Sequence, residues 1–416
     1  MEKAEILAPV GSFESLKAAI DAGCDSIYFG VKQLNMRARR AHNFSLDELK
    51  EVASICKKHQ IKSYITLNTL LYDHDLPLMR RIVDEAVSAG IDAIICQDVS
   101  AIQYANEKGL HVHASTQLSI SNIESVKFYS QFADTIVLAR EVDLKMMEEV
   151  CRAIKEERIS GPSGNLIRIE VFVHGALCIA QAGRCQMSLL QSNTSAQRGA
   201  CLHECRKKYR IIDDETDKEL ILENQYVMSP KDLCTLPFLD KIIKSGVAVL
   251  KIEGRGRSPQ YVNTVVKVYK EARDAVLNNN FDQDKVKKWI EELKTVYNRG
   301  FCDGYYLGKP LPEWSKVSGN VSTDERLYAG LVNHYFPKAG IAEIQIQANE
   351  MRKGDRFVVM GKTTGVKFAT ADSIMIDEKF VETSGKPSMI TVPVSEKVRK
   401  NDKVYILKKR EQHEGA

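Results

Sequence analysis

The feature of this sequence that most constrains its fold is a regular alternation of short apolar runs with amphipathic helical stretches over roughly the first 275 residues. Eight runs have the length and composition of buried strands: Glu5–Pro9, Ser26–Gly30, Lys62–Leu67, Ala93–Gln97, His111–Thr116, Thr135–Ala139, Arg168–Val173 and Val247–Glu253. The helical stretches include Ser12–Ala22, Ser45–Gln60, Leu76–Ala89 and Pro259–Leu277. Strands that alternate with helices indicate an α/β protein with a parallel sheet. Eight of them favour a closed (β/α)8 barrel of the TIM type over an open sheet.

The alternation is interrupted once and then stops. Between the seventh and eighth strands lies an insertion, at about residues 174–245, that is rich in Cys, Gly, Ser and Arg. The insertion follows the C-terminal end of a barrel strand, and barrel enzymes have their active sites at that end of the strands. We therefore expect a barrel domain over residues 1–310 and an all-β domain, a small β-barrel or sandwich, over residues 326–410. The runs that predict the second domain are Ala342–Gln347, Arg356–Met360, Met389–Val394 and Lys403–Leu407.

Composition and charge indicate the compartment of the protein more than they indicate its substrate. Of 416 residues, 44% are hydrophobic, and 59 basic against 55 acidic side chains leave a formal charge of only +4. This balance neither demands nor excludes a polyanionic partner. With no export signal and no apolar run of membrane-spanning length, we expect a cytoplasmic protein without membrane contact. Its ten cysteines should then be thiols or metal ligands, because disulfides rarely persist in that compartment.

Four of the cysteines lie together in the polar insertion, with the spacing C-x6-C-x15-C-x3-C. They are Cys178, Cys185, Cys201 and Cys205. Four thiolates are the usual ligands of a 4Fe–4S cluster, and zinc is the competing metal, which the spacing does not exclude. Cys234 is an alternative fourth ligand. The isolated cysteines in apolar settings are better explained by core packing; these are Cys24, Cys56, Cys96 and Cys151.

Arginines follow the ends of several predicted strands, which meet at one mouth of the barrel. Guanidinium groups bind carboxylates in bidentate fashion, so these arginines are candidates for binding a small dicarboxylate. Structural ion pairs and phosphate contacts are the alternatives. The candidates are Arg37, Arg39, Arg140 and Arg255.

Two side chains at the same mouth are candidates for catalysis. His174 precedes Cys178 by four residues, so it is either a proton donor beside a metal centre or a histidine that caps the seventh strand. Glu253 is flanked by Lys251 and Arg255 and is either a general acid or base or an anchor for the mouth. A buried carboxylate between cations stays ionised, which favours the anchor.

A basic run follows the fourth cysteine. Cations beside an aromatic ring suit contacts to phosphates and to an unpaired base, although such runs are also commonly solvated surface. The candidate RNA-binding residues are Arg206, Lys207, Lys208, Tyr209 and Arg210.

Three separated motifs resemble those of the collagenase-like U-family peptidases, of the peptidase U-32 type. They are Leu7-Ala-Pro-Val-Gly11, the run from Glu170 to Cys178 followed by Gly183-Arg-Cys185, and Leu250-Lys-Ile-Glu-Gly-Arg255. Within the family, the Cys-x3-Cys pair and a C-terminal β domain are most similar to the tRNA hydroxylation proteins of the TrhP type. That resemblance implies oxygen-independent formation of 5-hydroxyuridine at the wobble position of tRNA, with an iron–sulfur cluster and with prephenate as co-substrate. A second family subunit is a further partner to consider.

Other functions stay open from the sequence. A peptidase is what the family name implies, though neither a Gly-x-Ser-x-Gly nor a His-Glu-x-x-His motif is present. Hydroxylation of rRNA or of a quinone precursor is a second alternative, and a protein that binds the cluster or RNA without catalysis is a third. An RNA-modifying hydroxylase is the leading hypothesis. It needs a metal centre, a bound oxygen donor and a flipped-out base, and a barrel mouth beside a cluster can hold all three.

Overall fold

The computed structural model describes residues 3–181, 183–216, 218–220, 226, 228–308, 313–317 and 319–410. The strands of its first part are β1 (Glu5–Pro9), β2 (Ser26–Gly30), β3 (Lys62–Leu67), β4 (Ala93–Cys96), β5 (His111–Ala114), β6 (Thr135–Val137), β7 (Arg168–Ala176), β8 (Ile211–Asp213), β9 (Lys218–Leu220), β10 (Asp232–Cys234), β11 (Val249–Ile252) and β12 (Phe301–Cys302). Strands β1 to β7 pair in parallel in chain order, and β11 pairs in parallel with both β7 and β1. The result is a closed barrel of eight parallel strands, which confirms the predicted fold class.

Helices cover the outside of the barrel. The described helices are α1 (Phe13–Ala22), α2 (Leu49–Lys58), α3 (Leu76–Ala89), α4 (Val99–Glu107), α5 (Ile123–Tyr129), α6 (Leu144–Glu156), α7 (Met187–Ser192), α8 (Leu239–Lys244), α9 (Pro259–Leu277) and α10 (Gln283–Lys294). Ser12 caps α1 by accepting a hydrogen bond from the N–H of Ser15, and α1 ends at Gly23 in the left-handed conformation. Within the described part of the chain, no helix is both long and apolar enough to cross a membrane.

One predicted helix begins later than the sequence suggests. The sequence predicts a helical stretch from Ser45 to Gln60, but α2 starts at Leu49. The Glu48 carboxylate accepts hydrogen bonds from the N–H and the hydroxyl of Ser45, at 2.7 and 3.0 Å. Ser45 and Glu48 therefore stabilise a turn that precedes the helix.

The seventh barrel strand is longer than predicted. Instead of ending at Val173 it continues to Ala176, and its last residues pair with β10 in antiparallel orientation. Strand β12 then pairs with β10 in parallel. This extension places His174 inside the sheet, opposite Cys234.

The C-terminal part is an antiparallel sheet, as the all-β prediction requires. Its strands are β13 (Asp324–Phe336), β14 (Ile341–Ile346), β15 (Arg356–Gly361), β16 (Gly365–Thr370), β17 (Ile374–Ile376), β18 (Lys379–Val381), β19 (Ser388–Pro393) and β20 (Lys403–Lys409). They pair in the order β16-β15-β20-β13-β14-β19-β17-β18, so the two end strands of the described sheet are not paired with each other. The predicted end of the first domain, at residues 309 and 310, lies outside the described residues.

The sheet packs against the first helix of the barrel. Ala18 of α1 is buried together with Val358, Met360, Val366 and Leu407 of the sheet. An ion pair between Lys362 and Glu51, at 3.0 Å, lies beside this contact. The sheet is thus attached to the outer helical layer, away from the interior of the barrel.

Candidate active site at the barrel mouth

The cysteine-rich insertion folds back over the C-terminal ends of the barrel strands. Arg198 of the insertion binds both carboxylate oxygens of Asp75, in the segment after β3, at 2.5 and 3.3 Å. Gly199 lies so close to the loop after β2 that a Cβ atom there would be 2.3 Å from the carbonyl oxygen of Asn35. Its φ of +80° also favours glycine. These contacts hold the insertion across the mouth.

The insertion and the mouth border a cavity of about 940 Å³, a volume that includes space open to solvent. Its wall brings together most of the predicted site residues: Cys178, Cys185, Cys201, Cys205, Arg37, Arg140, Arg255 and Glu253. Arg39 is exposed and lines a separate depression beside Arg257 and Ser258. His174 does not belong to the described lining of the cavity.

All four cysteines of the insertion face this one space as free thiols. Cys178 is exposed and the other three are partly buried. Burial raises the pKa of Cys205 to about 11, and the three neighbouring thiols add to the effect. The Cys205 thiol is therefore protonated at neutral pH unless a metal binds it.

The chemistry of these thiols bears on which metal centre they fit. Among the described residues, no group of three or more His, Cys, Asp or Glu side chains is placed to hold a metal ion. Four thiols that line one cavity are the donor set of a 4Fe–4S cluster and equally that of a four-cysteine zinc site. Cys234 and Cys302 are buried on β10 and β12, outside the lining of the cavity.

Glu253 stands at the centre of the arginine group. Arg37 donates to one carboxylate oxygen of Glu253 from Nε and Nη2, and the hydroxyl of Tyr28 donates to the other at 3.2 Å. Burial alone would raise the pKa of Glu253, but Arg37, Arg140 and Arg255 outweigh it and hold the pKa at about 2. Glu253 is thus ionised at neutral pH, which favours its role as an anchor over that of a proton donor.

Arg255 and Arg140 differ in how many hydrogen bonds their guanidinium groups already donate within the protein. Arg255 is buried, and its Nη1 and Nη2 donate to Oγ1 of Thr66 at 2.7 Å and to Oδ1 of Asn35 at 3.1 Å. Arg140 donates one hydrogen bond, from Nη1 to the carbonyl oxygen of Ala176 at 2.7 Å. Because a guanidinium carries five N–H donors, Arg140 retains the larger capacity to bind a ligand.

A buried ionic group that the sequence reasoning missed adjoins the cavity through Lys251. Lys251, which lines the cavity, donates to Glu170 at 2.5 Å, and Nδ1 of His113 lies 3.0 Å from the other oxygen of Glu170. Burial would raise the pKa of Glu170, but Lys251 and His113 together lower it to about 2. The sequence did contain a sign of this group, because Lys251 and Glu170 interrupt two predicted strands that are otherwise apolar.

His174 lies in an aromatic environment outside the described lining of the cavity. The rings of Tyr261, Tyr269 and Phe301 surround it, with centroids 6.0, 5.4 and 5.6 Å away. Burial, with a smaller contribution from Arg257, lowers its pKa to about 3. The imidazole is therefore neutral at physiological pH, and its position favours a structural role over proton donation in the cavity.

The predicted RNA-binding run does not act as one surface. The guanidinium of Arg206 is hydrogen-bonded within the protein, because it donates to the carbonyl oxygens of Leu177 and Pro230, both at 2.6 Å. Lys207 is paired with Glu204, whose carbonyl oxygen also accepts a hydrogen bond from the Tyr209 hydroxyl. Lys208 and Arg210 are exposed. Another side chain that was not singled out, His203, lines the cavity between the last two thiols.

Comparison with known proteins adds the family context. Residues 11–316 match the model of peptidase family U32. The chain is 49% identical over 408 residues to a collagenase of Porphyromonas gingivalis, covering 98% of this chain and 99% of that protein. It is 31% identical over 367 residues to a tRNA hydroxylation protein of Bacillus subtilis, covering 86% and 84%. It is also 30% identical over 336 residues to the 23S rRNA 5-hydroxycytidine synthase of Escherichia coli, covering 76% of this chain and 49% of that protein.

Proposed function

This chain belongs to peptidase family U32, and on that basis we propose that it is an RNA-modifying hydroxylase with an iron–sulfur cluster. The observation that carries the proposal is that four thiols and three guanidinium groups line one cavity at the barrel mouth. Relatives named for hydroxylation of tRNA and of rRNA support RNA as the substrate. The reaction that we propose is formation of 5-hydroxyuridine at the wobble position of tRNA.

The proposed cofactor is a 4Fe–4S cluster held by the four thiols of the insertion. Such a cluster, when bound, supplies electron transfer or Lewis acidity beside the substrate. The protein contributes a partly enclosed site, with Cys205 more deeply placed than Cys178. It also contributes Gly183 and Gly199, whose positive φ angles let the backbone turn between the ligands.

The guanidinium groups of the cavity support a small dianion as co-substrate. Arg37, Arg140 and Arg255 face Glu253, and Glu204, the other carboxylate of the described lining, is paired with Lys207, so the guanidinium groups outnumber the carboxylates that they face. Lys251 does not add to them, because Glu170 neutralises it. Prephenate, which carries two carboxylates, is the co-substrate that we propose. Guanidinium forks bind carboxylates in bidentate fashion, and Arg140 has the most donors available for one.

The cavity is also where we propose that the nucleobase enters, because it lies at the barrel mouth and is lined by the four thiols and the arginines. An enzyme that modifies a base must take it out of the stack, which costs least in a single-stranded loop. A wobble uridine in an anticodon loop meets that requirement.

A peptidase is the competing function, because the relative with 49% identity is named a collagenase. Peptide hydrolysis needs an activated nucleophile or a metal-bound water. In the described lining of the cavity, the Ser115 hydroxyl donates to Gln117 and the Ser188 hydroxyl accepts from the N–H of Leu202. Neither hydroxyl is hydrogen-bonded to a histidine, and burial makes Cys205 a weak nucleophile. This geometry favours the hydroxylase.

Nucleoside analysis of a deletion strain tests the proposal. Mass spectrometry of its tRNA should show loss of 5-hydroxyuridine and of nucleosides derived from it, restored by the intact gene. Anaerobically purified protein should contain about four irons per chain with matching sulfide. Normal 5-hydroxyuridine in the deletion strain, once a paralogue and an oxygen-dependent route have been removed, would contradict the proposal. Cleavage of denatured collagen by iron-free protein would favour the peptidase.

A further inference from the structure

A second cleft opens beside the cavity and shares one wall with it. Arg37, Arg140, Glu253 and three of the four thiols line both spaces. Beyond that wall, the second cleft extends along the loop after β11 and the segment between α10 and β12. We call it the arginine cleft, after the six arginines in its lining: Arg37, Arg40, Arg140, Arg206, Arg257 and Arg299.

The arginine cleft carries an excess of positive charge. Glu253 is the one carboxylate in its described lining. In the described part of the chain, carboxylates contact two of the six arginines: Glu253 holds Arg37 at 3.0 Å, and Asp232 holds Arg299 at 3.1 Å. For the other four, no carboxylate contact is found there. A concave surface with this imbalance attracts polyanions.

Two of these arginines are accessible and held in place without an acidic group. Arg40 is exposed and donates to the carbonyl oxygen of Leu202, at 2.5 Å, in the insertion. The guanidinium of Arg257 stacks on the ring of Tyr297, with 3.5 Å between Cζ and the ring centroid. Both keep their full charge, and a guanidinium fixed in this way loses less side-chain freedom when it binds an anion. Arg206, by contrast, already gives its donors to carbonyl oxygens.

We propose that the arginine cleft binds the phosphate backbone of the RNA next to the nucleotide that enters the cavity. Arg40 and Arg257 are the phosphate contacts, and Tyr297 positions Arg257. This inference rests on the proposed function, which makes RNA the polyanion. Because the cleft and the cavity share a wall, a base in the cavity leaves its flanking phosphates beside the cleft. Guanidinium groups bind phosphate oxygens in bidentate fashion.

The proposal differs from the one that the sequence suggests. Residues Lys207, Lys208, Tyr209 and Arg210 belong to the described lining of neither the cavity nor the arginine cleft. Removing the charges of Lys207 and Lys208 should therefore weaken RNA binding less than removing those of Arg40 and Arg257.

Binding of unmodified tRNA transcript to anaerobically prepared holoprotein, over a range of salt concentrations, tests the cleft. Arg40→Gln and Arg257→Gln should each weaken binding roughly three- to tenfold, and each should lower the salt dependence by about one phosphate contact. Arg152→Gln removes an exposed arginine from α6 and should change neither quantity. Tyr297→Leu should weaken binding, whereas Tyr297→Phe, which keeps the ring under Arg257, should not. Iron content is measured for every variant.

The outcomes separate the cleft from the function. If the intact protein binds and hydroxylates the transcript while Arg40→Gln and Arg257→Gln behave like Arg152→Gln, the cleft proposal is wrong and the hydroxylase stands. If the intact protein neither binds nor modifies RNA, both are wrong. Loss of affinity in the two cleft variants, with iron retained and with the salt dependence reduced, supports the cleft.

Discussion

Arg37 donates two hydrogen bonds to one carboxylate oxygen of Glu253, from Nε at 3.2 Å and from Nη2 at 3.0 Å. The pair lies in the wall between the cavity and the arginine cleft and joins the loop after β2 to the end of β11. The Tyr28 hydroxyl shares its proton between the second oxygen, at 3.2 Å, and the carbonyl oxygen of Ile252, at 2.9 Å. Since both oxygens are bound, Glu253 organises the cations around it, and its removal should affect stability as well as binding.

Glu253→Gln should lower the free energy of unfolding by on the order of 3 kcal/mol at neutral pH. The pKa of Glu253 in the folded protein is about 2, below its ordinary value of 4.5. Its contribution to stability is therefore complete above about pH 4.5 and is lost as the pH falls toward 2. The difference between wild type and variant, measured by urea unfolding of the metal-free protein, should shrink over that range. A difference that stays constant with pH, or an equal effect of the exposed control Glu149→Gln, would contradict this.

The buried pair of Lys251 and Glu170 leads to a second prediction. Lys251→Met leaves the Glu170 carboxylate buried with His113 as its remaining close partner, which should cost about 3–5 kcal/mol of unfolding free energy. Adding Glu170→Gln to Lys251→Met should restore part of that loss, because the uncompensated charge is gone. Denaturant unfolding of the two single variants and the double variant gives the coupling energy. Additive effects would show that the pair is not coupled.

Much of the barrel could be predicted because its signals are local. The strands β1, β2 and β3 have the predicted bounds, since a short buried strand is marked by its own apolar residues and by the turns beside it. The four thiols were also identifiable, because they lie close together in a polar segment. Their common cavity follows from one insertion crossing one barrel mouth.

What the sequence did not show depends on contacts between distant segments. The extension of β7 to Ala176 requires β10, which lies more than fifty residues further along the chain. Arg37 and Arg39 are two residues apart in one loop, and only the conformation of that loop decides that Arg37 reaches Glu253 while Arg39 stays exposed. Likewise, nothing local indicates that Arg206 is bound by carbonyl oxygens of two other segments.

The cysteines of the insertion allow a test of the metal centre. Replacing any one of the four with Ala should remove most of the iron and the broad visible absorption of anaerobically prepared protein. Cys234→Ala should retain both, because Cys234 is buried on β10 outside the cavity. Cys56→Ala is the matched control in the barrel core. Stoichiometric zinc in place of iron, or equal iron loss in Cys56→Ala, would show that the cluster proposal is wrong.

The last prediction distinguishes the roles of Arg140 and Arg255. Arg140→Gln removes a guanidinium that gives the protein one hydrogen bond, so the variant should fold, keep its iron and lose roughly ten- to a hundredfold in affinity for a dicarboxylate. Arg255→Gln breaks contacts to Thr66 and Asn35 in the core, so it should lower stability as well. Prephenate binding and thermal unfolding of both variants, with nucleoside analysis of complemented deletion strains, provide the measurements. If Arg140→Gln binds prephenate like wild type and restores 5-hydroxyuridine in full, then Arg140 does not bind the co-substrate.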